Sequence, residues 1–345
     1  MVVGLTGYYG FGNVGDDLCL RNLIRYYGNE NVHVYCSRPY AAETVKRQFH
    51  VAASTVNQLG KHQLDMLVFG GGDLIHDLSF EALWPRKYLE RVTCRVILLG
   101  VGVPHGNGFT LLSKRLKWLG KRVAYAGLRD MNSLSIYRRL IGENACFTAD
   151  PAFLTENLHA ERGDVGWFEY RNLGRDYQLL TPEDYPSGSY AAQLKMDDLF
   201  FGYDTRIWSY GAEKISLNEA LRRVSTAKHL ICGSLHLGLL ALSQETPFKI
   251  VPYQGKVCSV MDAAGCLRHT EHKLYPVSKK ETERFLMLQK HLKDVLERFG
   301  KGVYSPVPAP FQSEGAELYV SKPIKPNLLR RAKYFYNNNF VGLKS

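Results

Sequence analysis

The stretch Gly7-Tyr8-Tyr9-Gly10-Phe11-Gly12-Asn13-Val14-Gly15-Asp16-Asp17 decides the fold. It follows a short apolar run at residues 2–6 and leads into residues 16–27. There Leu18, Leu20, Leu23, Ile24 and Tyr27 recur at helical spacing, and Gly28 can close the segment. Strand, glycine-rich turn and amphipathic helix in that order begin an alternating β/α arrangement. Gly10, Gly12 and Gly15 match G-x-G-x-x-G, the pattern of a dinucleotide site. Two features argue against that reading. Cys36-Ser37-Arg38 stands where an acidic residue is expected, about 20 positions on. Asp16 and Asp17 at the start of the helix already answer its positive end and would repel a pyrophosphate. Two readings of this pair stay open. Either Asp16 or Asp17 simply caps the helix, or Asp16 also faces a cleft and binds a hydroxyl.

Working outward, further apolar runs at 32–36, 66–69, 95–101 and 123–127, with a weaker one at 145–148, read as buried strands. Alternation of this kind predicts a parallel, doubly wound sheet over residues 1–155. Residues 156–190 are rich in Gly, Pro, Asp and Tyr, and the domain junction is placed there. A second alternating set follows at 205–208, 216–227, 229–232, 235–243 and 248–252. The clearest helix covers 279–299. Ser278 and Glu281 form a capping box, Phe285, Leu288, Leu292, Val295 and Phe299 line one face, and Gly300 stops it. The expected fold class is α/β: two Rossmann-like doubly wound domains, 1–155 and 156–300, facing a cleft. A Pro-rich, basic extension covers 301–345.

The 345 residues carry 44 Lys and Arg against 33 Asp and Glu, a net charge of +11. With 45% apolar and 22% charged residues, the chain is globular rather than disordered. The charge is uneven: +6 over residues 1–150, zero over 151–300 and +5 over 301–345. A neutral centre and the lack of any recognisable motif exclude a nucleic-acid binder. No apolar run reaches the roughly 18–20 residues that span a bilayer, and no secretory leader is read. Seven scattered Cys without a C-x-x-C pair point to reduced thiols in a cytoplasmic protein, not to a disulfide framework or a zinc site.

In open α/β sheets ligands bind beyond the carboxyl ends of the strands. Besides the first loop, Gly70-Gly71-Gly72-Asp73-Leu74-Ile75-His76-Asp77 follows a strand. Consecutive glycines there suit a sharp turn or the approach of a ligand to backbone N–H groups. Gly100-Val101-Gly102-Val103-Pro104-His105-Gly106 follows another strand, and Leu128-Arg129-Asp130 closes a third. Arg129 is either an anion ligand or half of an internal ion pair with Asp130 or a neighbour.

The ordered motifs Gly7–Asp16, Gly70-Gly71-Gly72, Gly100–Pro104, Leu128-Arg129-Asp130, Asp150-Pro151-Ala152-Phe153, Gly233-Ser234-Leu235-His236 and Lys256-Val257 resemble the polysaccharide pyruvyl transferase family over about three quarters of the chain. The resemblance implies a two-domain architecture like that of the GT-B glycosyltransferases. It also implies transfer of the enolpyruvyl group of phosphoenolpyruvate onto two sugar hydroxyls, giving a cyclic pyruvate ketal and phosphate. It carries over Asp16 and His236 as catalytic residues. Arg129, Lys256, Gly71, Gly72, Ser234, Gly12 and Asn13 are carried over as substrate-binding residues. Many members have Arg where Ser234 stands, some branches carry Ser there too, and Arg206 and Arg38 are the candidates to substitute for the Arg.

Phosphoenolpyruvate carries a phosphate and a carboxylate on a small frame, so Arg, Lys and helix N-terminal N–H groups suit it. Arg129 and Lys256, one from each domain, would clamp it. His236 titrates near neutrality by type and is the acid/base candidate, or else a buried, hydrogen-bonded histidine. Asp16 would orient or deprotonate the acceptor hydroxyl. His76, Asp77 and His105 lie on the same set of loops. No metal-ligand spacing is present, the pair His269 and His272 included, and no cofactor beyond the donor substrate is expected. Residues 113–122 pack five basic residues onto an amphipathic pattern, and 322–345 mix Lys and Arg with Tyr and Phe. Each is either a solvated or packed surface or a contact with an anionic membrane carrying a lipid-linked saccharide acceptor. The rival functions are a nucleotide-sugar glycosyltransferase and a non-catalytic sugar-binding relative.

Overall fold

The computed structural model describes residues 1–75, 86–103, 113–169, 205–208, 216–250, 255–271 and 274–311. His76, Asp77, His105, His272 and the 322–345 segment lie outside the described residues.

The first sheet holds strands β1 (Val3–Thr6), β2 (Val32–Cys36), β3 (Ala52–Thr55), β4 (Met66–Gly70), β5 (Arg95–Val101), β6 (Val123–Leu128) and β7 (Ala145–Phe147). Their order is β3-β2-β1-β4-β5-β6-β7, and every pairing is parallel. The helices of this half are α1 (Val14–Tyr27), α2 (Pro39–Phe49), α3 (Arg86–Leu89), α4 (Ser113–Arg122) and α5 (Met131–Leu140). Central strands covered on both faces must be apolar throughout, and β1 and β4 are buried from end to end. The strand order reverses between β1 and β4. That switch point sets the loops at 7–13 and 71–75 side by side.

The second sheet holds β8 (Gly166–Glu169), β9 (Thr205–Trp208), β10 (Leu230–Cys232) and β11 (Phe248–Ile250), in the order β11-β10-β8-β9 and again parallel. Helices α6 (Leu217–Ser225), α7 (Leu235–Ser243) and α8 (Gly255–Ala263) accompany it. Helix α7 is buried along its whole length, because its residues are almost all apolar and it lies between the two halves.

The last described helix, α9 (Lys279–Gly300), starts with the expected capping box of Ser278 and Glu281. It then runs back beneath the first sheet. Phe285 packs on Phe153 at 5.1 Å and Phe299 on Tyr125 at 4.8 Å. The Gln289 amide donates to the carbonyls of Phe153 (3.0 Å) and Thr155 (3.2 Å). Near its start the same helix holds the second half: Glu281 accepts from Arg268, and Arg284 Nε donates to the Ala263 carbonyl at 3.1 Å. The segment 279–300, assigned from sequence to the second domain, therefore packs on both. Among the described residues no helix is long and apolar enough to cross a membrane.

Candidate active site

The site lies where the first turns of α1 and α7 meet. Asn13, not Asp16 or Asp17, is the cap of α1: its side chain accepts from Gly15 N at 3.1 Å. Asp17 instead folds back and accepts from Gly10 N at 3.3 Å, bracing the glycine loop. The expected capping by Asp16 or Asp17 is thus replaced, since a shorter reach from Asn13 closes the turn. Asp16 is left with no capping task. It is buried beside Gly72, where any Cβ would come within 2.8 Å of its Oδ1.

Gly71 and Gly72 both adopt the left-handed conformation, with φ of 68° and 75°. A side chain on Gly71 would also strike Cys19 Sγ at 2.6 Å. The loop is therefore glycine for two reasons, backbone angle and close packing on α1. Its backbone is tied down by Gly71 N to Leu99 O (3.0 Å) and Gly102 N to Gly72 O (2.8 Å).

His236 enters from the second residue of α7. Ser234 occupies the cap position of that helix, with its hydroxyl not bonded to the first turn. The His236 ring is nine-tenths buried, and its Nε2 lies 3.5 Å from Asp150 Oδ2. That is an ion-pair distance without a well-formed hydrogen bond. Its Nδ1 edge covers Gly15, where a Cβ would overlap the imidazole. Asp150 was not a sequence candidate, yet it is the hub of the site. It caps the 3-10 turn Pro151–Leu154 by accepting from Ala152 N (3.0 Å). It also accepts from Cys19 Sγ (3.0 Å) and faces Arg129 Nη1 (3.5 Å). Burial disfavours its charge, but His236, Arg129 and the Ala152 N–H together hold its pKa well below the usual carboxylate range. Asp16 goes the other way. Burial, with Asp17 and Asp150 adding to it, raises its pKa to about 7 against the opposing pull of His236 and Lys256.

Arg129 is fully buried at the end of β6, its side chain 1% exposed. Its Nη2 bonds Asp73, its Nη1 faces Asp150, and its Nε lies 3.8 Å from Asp130. Arg129 is thus paired internally with three carboxylates, its neighbour Asp130 among them. Burial works against the charge, and the three carboxylates raise the pKa above even the ordinary arginine value. Lys256, in the first turn of α8, reaches across to the other oxygen of Asp73. Asp130 also bridges the halves: it caps α5 through Ser133 N (2.8 Å) and accepts from Ser259 Oγ of α8 at 2.9 Å. The structure therefore brings together Asp16, Asn13, Gly71, Gly72, Arg129, His236 and Lys256, with Ser234 at the same helix start. Gly12, with φ of 66°, sits in the glycine loop. Arg38 stands at the start of α2.

Sequence reading missed Asp73, Asp150 and Cys19. Asp73 and Asp150 each closed a glycine- or proline-marked strand end, the one signal available. Cys19, Asp150 and His236 offer ligand atoms within 4.8 Å of one another, a grouping the residue spacing did not disclose. A divalent cation there would share Asp150 Oδ2 with the Arg129 guanidinium 3.5 Å away and meet its repulsion, so the donor set fits a metal poorly.

Two parallel α/β sheets, a cleft between their carboxyl ends and a last helix returning under the first sheet define a GT-B-like fold. Solved structures agree. HepE from Anabaena, in complex with UDP, superposes with a TM-score of 0.52 at 9% identity, covering 87% of this chain and 100% of its own. A UDP-N-acetylglucosamine 2-epimerase superposes with a TM-score of 0.51 at 9% identity, covering 90% and 98%. A comparison with curated protein sequences finds no match. The polysaccharide pyruvyl transferase profile matches residues 13–255, well over half of the chain, and the protein belongs to that family.

Proposed function

We propose that the protein transfers the enolpyruvyl group of phosphoenolpyruvate to two hydroxyls of a sugar in a cell-surface polysaccharide or its lipid-linked precursor. The observation that carries this reading is the meeting of one acid/base pair, Asp16 and His236, with one cation pair, Arg129 and Lys256, at the contact of the two halves. Family membership supports it.

In this reading the acceptor hydroxyl adds to C2 of the enol phosphate and gives its proton to Asp16. A proton delivered from His236 to the methylene carbon completes the addition. The tetrahedral phosphoketal then expels phosphate toward Lys256, and the second hydroxyl closes the ketal as its proton leaves with the phosphate. Asp150 orients the His236 ring. Lys256, 20% exposed, is the cation within reach of the cleft, while Arg129 acts from beneath it. The acceptor side is the glycine loop around Gly12 and Asn13. The basic segments 113–122 and 322–345 would hold the protein against the anionic inner membrane face where a lipid-linked acceptor lies.

A nucleotide-sugar donor is the rival, since the fold is shared with a protein solved in complex with UDP. Asp16 and Asp17 at the first helix start speak against a pyrophosphate there. The test is product analysis by mass spectrometry after incubation with phosphoenolpyruvate and a panel of saccharides. A mass gain of one pyruvate ketal with phosphate release supports the reading. Folded His236→Ala must lose that release. Turnover only with nucleotide sugars would overturn it.

A further inference from the structure

Asp73 places a carboxylate where an anionic substrate would have to be gripped. Its Oδ1 accepts from Arg129 Nη2 and its Oδ2 from Lys256 Nζ, so one side chain joins a cation of the first half to a cation of the second. Asp73 is 18% exposed and Lys256 20%, against 1% for Arg129. The cation pair is thus reached from the cleft by way of Asp73 and Lys256.

The bridge is built into the backbone. Gly102 stands where any Cβ would strike both Asp73 Oδ1 and Arg129 Nη2. The chain on either side of Asp73 is held by Gly102 N to Gly72 O at 2.8 Å and Ile75 N to Gly102 O at 3.5 Å, and Leu74 and Ile75 are buried. With the backbone held in this way, rotation of its own side chain is the direct route by which the Asp73 carboxylate leaves the cations.

Arg129 keeps Asp130 and Asp150 when Asp73 turns away. A substrate anion added beside Asp73 would crowd two negative groups onto the same cations. A substrate anion taking its place keeps both cations paired.

We propose that Asp73 is a surrogate anion. Its juxtaposition with Arg129 and Lys256 makes binding an exchange, in which a carboxylate or phosphate of the substrate replaces it on Lys256 and on the Nη2 edge of Arg129. This rests on reading the site as one for a small phosphorylated carboxylate. The exchange discriminates against ligands with a single weak anionic group, because only a group that satisfies both cations repays the displaced contact.

The test is calorimetric titration of the full chain with inorganic phosphate and then with phosphoenolpyruvate. Asp73→Asn and Asp73→Ser should each bind phosphate about tenfold tighter than the parent, the scale of one lost charge repulsion at a partly buried site. Asp73→Glu should bind as the parent does. Adding Lys256→Ala to Asp73→Asn should abolish the gain. Unchanged or weaker phosphate binding by the folded Asn or Ser variant overturns the proposal and makes Asp73 a positioning group for Lys256. Tighter phosphate binding with no phosphate ever released from phosphoenolpyruvate upholds the exchange and rejects the donor assignment alone.

Discussion

The His236 imidazole lies so closely over Gly15 that a methyl group there would overlap the ring. The first turn of α1 and the first turn of α7 are thereby in direct contact, and the contact exists only because residue 15 is glycine. Gly15→Ala should push the ring away from Asp150. The expected cost is about 1–3 kcal/mol of stability from overpacking, with a larger loss of phosphate release. Denaturant unfolding and turnover measured together check this; an unchanged rate would show that the ring position is not required.

Arg129 is enclosed by Asp73, Asp130 and Asp150. Replacing it with Met keeps the volume but leaves buried carboxylates without their cation. The expected loss is about 3–5 kcal/mol, read from denaturant midpoints. A loss below about 1 kcal/mol would mean that these pairs contribute no more than surface ion pairs do.

Asp16 has its pKa raised by burial from an ordinary 3.8 to about 7. The folded protein therefore holds this proton more tightly than the unfolded chain. The stability that Asp16 contributes is full below its ordinary pKa and is lost as pH rises toward 7. Asp16→Asn should flatten the decline of unfolding free energy over that window. Parallel curves for parent and variant would contradict the sign.

Lys256→Ala should raise the Michaelis constant for phosphoenolpyruvate more than it lowers kcat, since it removes the accessible cation of the pair. Initial-rate kinetics decide; an unchanged constant removes Lys256 from donor binding.

Removing residues 322–345 should reduce pelleting with phosphatidylglycerol vesicles but not with neutral phosphatidylcholine vesicles. Equal pelleting of full-length and shortened chains with the anionic vesicles rejects a membrane role for the segment.

Much of the first half was legible because its strands are buried on both faces and read as unbroken apolar runs. Val3–Thr6 and Met66–Gly70 are examples. Strand Ala52–Thr55 was missed because it lies at the edge of the sheet, where small and polar residues suffice. Gly166–Glu169 was missed because a four-residue strand beginning with glycine carries no periodicity. At the site, His236 and Asp16 stood out by type and position. Asp150 did not, because its importance comes from contacts with residues 131 positions before it and 86 after it. Those distances along the chain are closed only by folding. Arg129 could be placed at a strand end, but its ion pairs with Asp73 and Asp150 depend on residues arriving from other loops.

Among the described residues the chain passes between its halves twice, once after Thr155 and again along α9, and the Gln289 amide fastens the second passage to the first. Two tethers joined at one place act as a spine. They tie the halves together where α9 meets Phe153 and Thr155, at a place apart from the second tie, the seat of His236 on Gly15. Parting the halves at the site would lift His236 off Gly15, so a distance probe across that contact would report directly whether the halves are joined there.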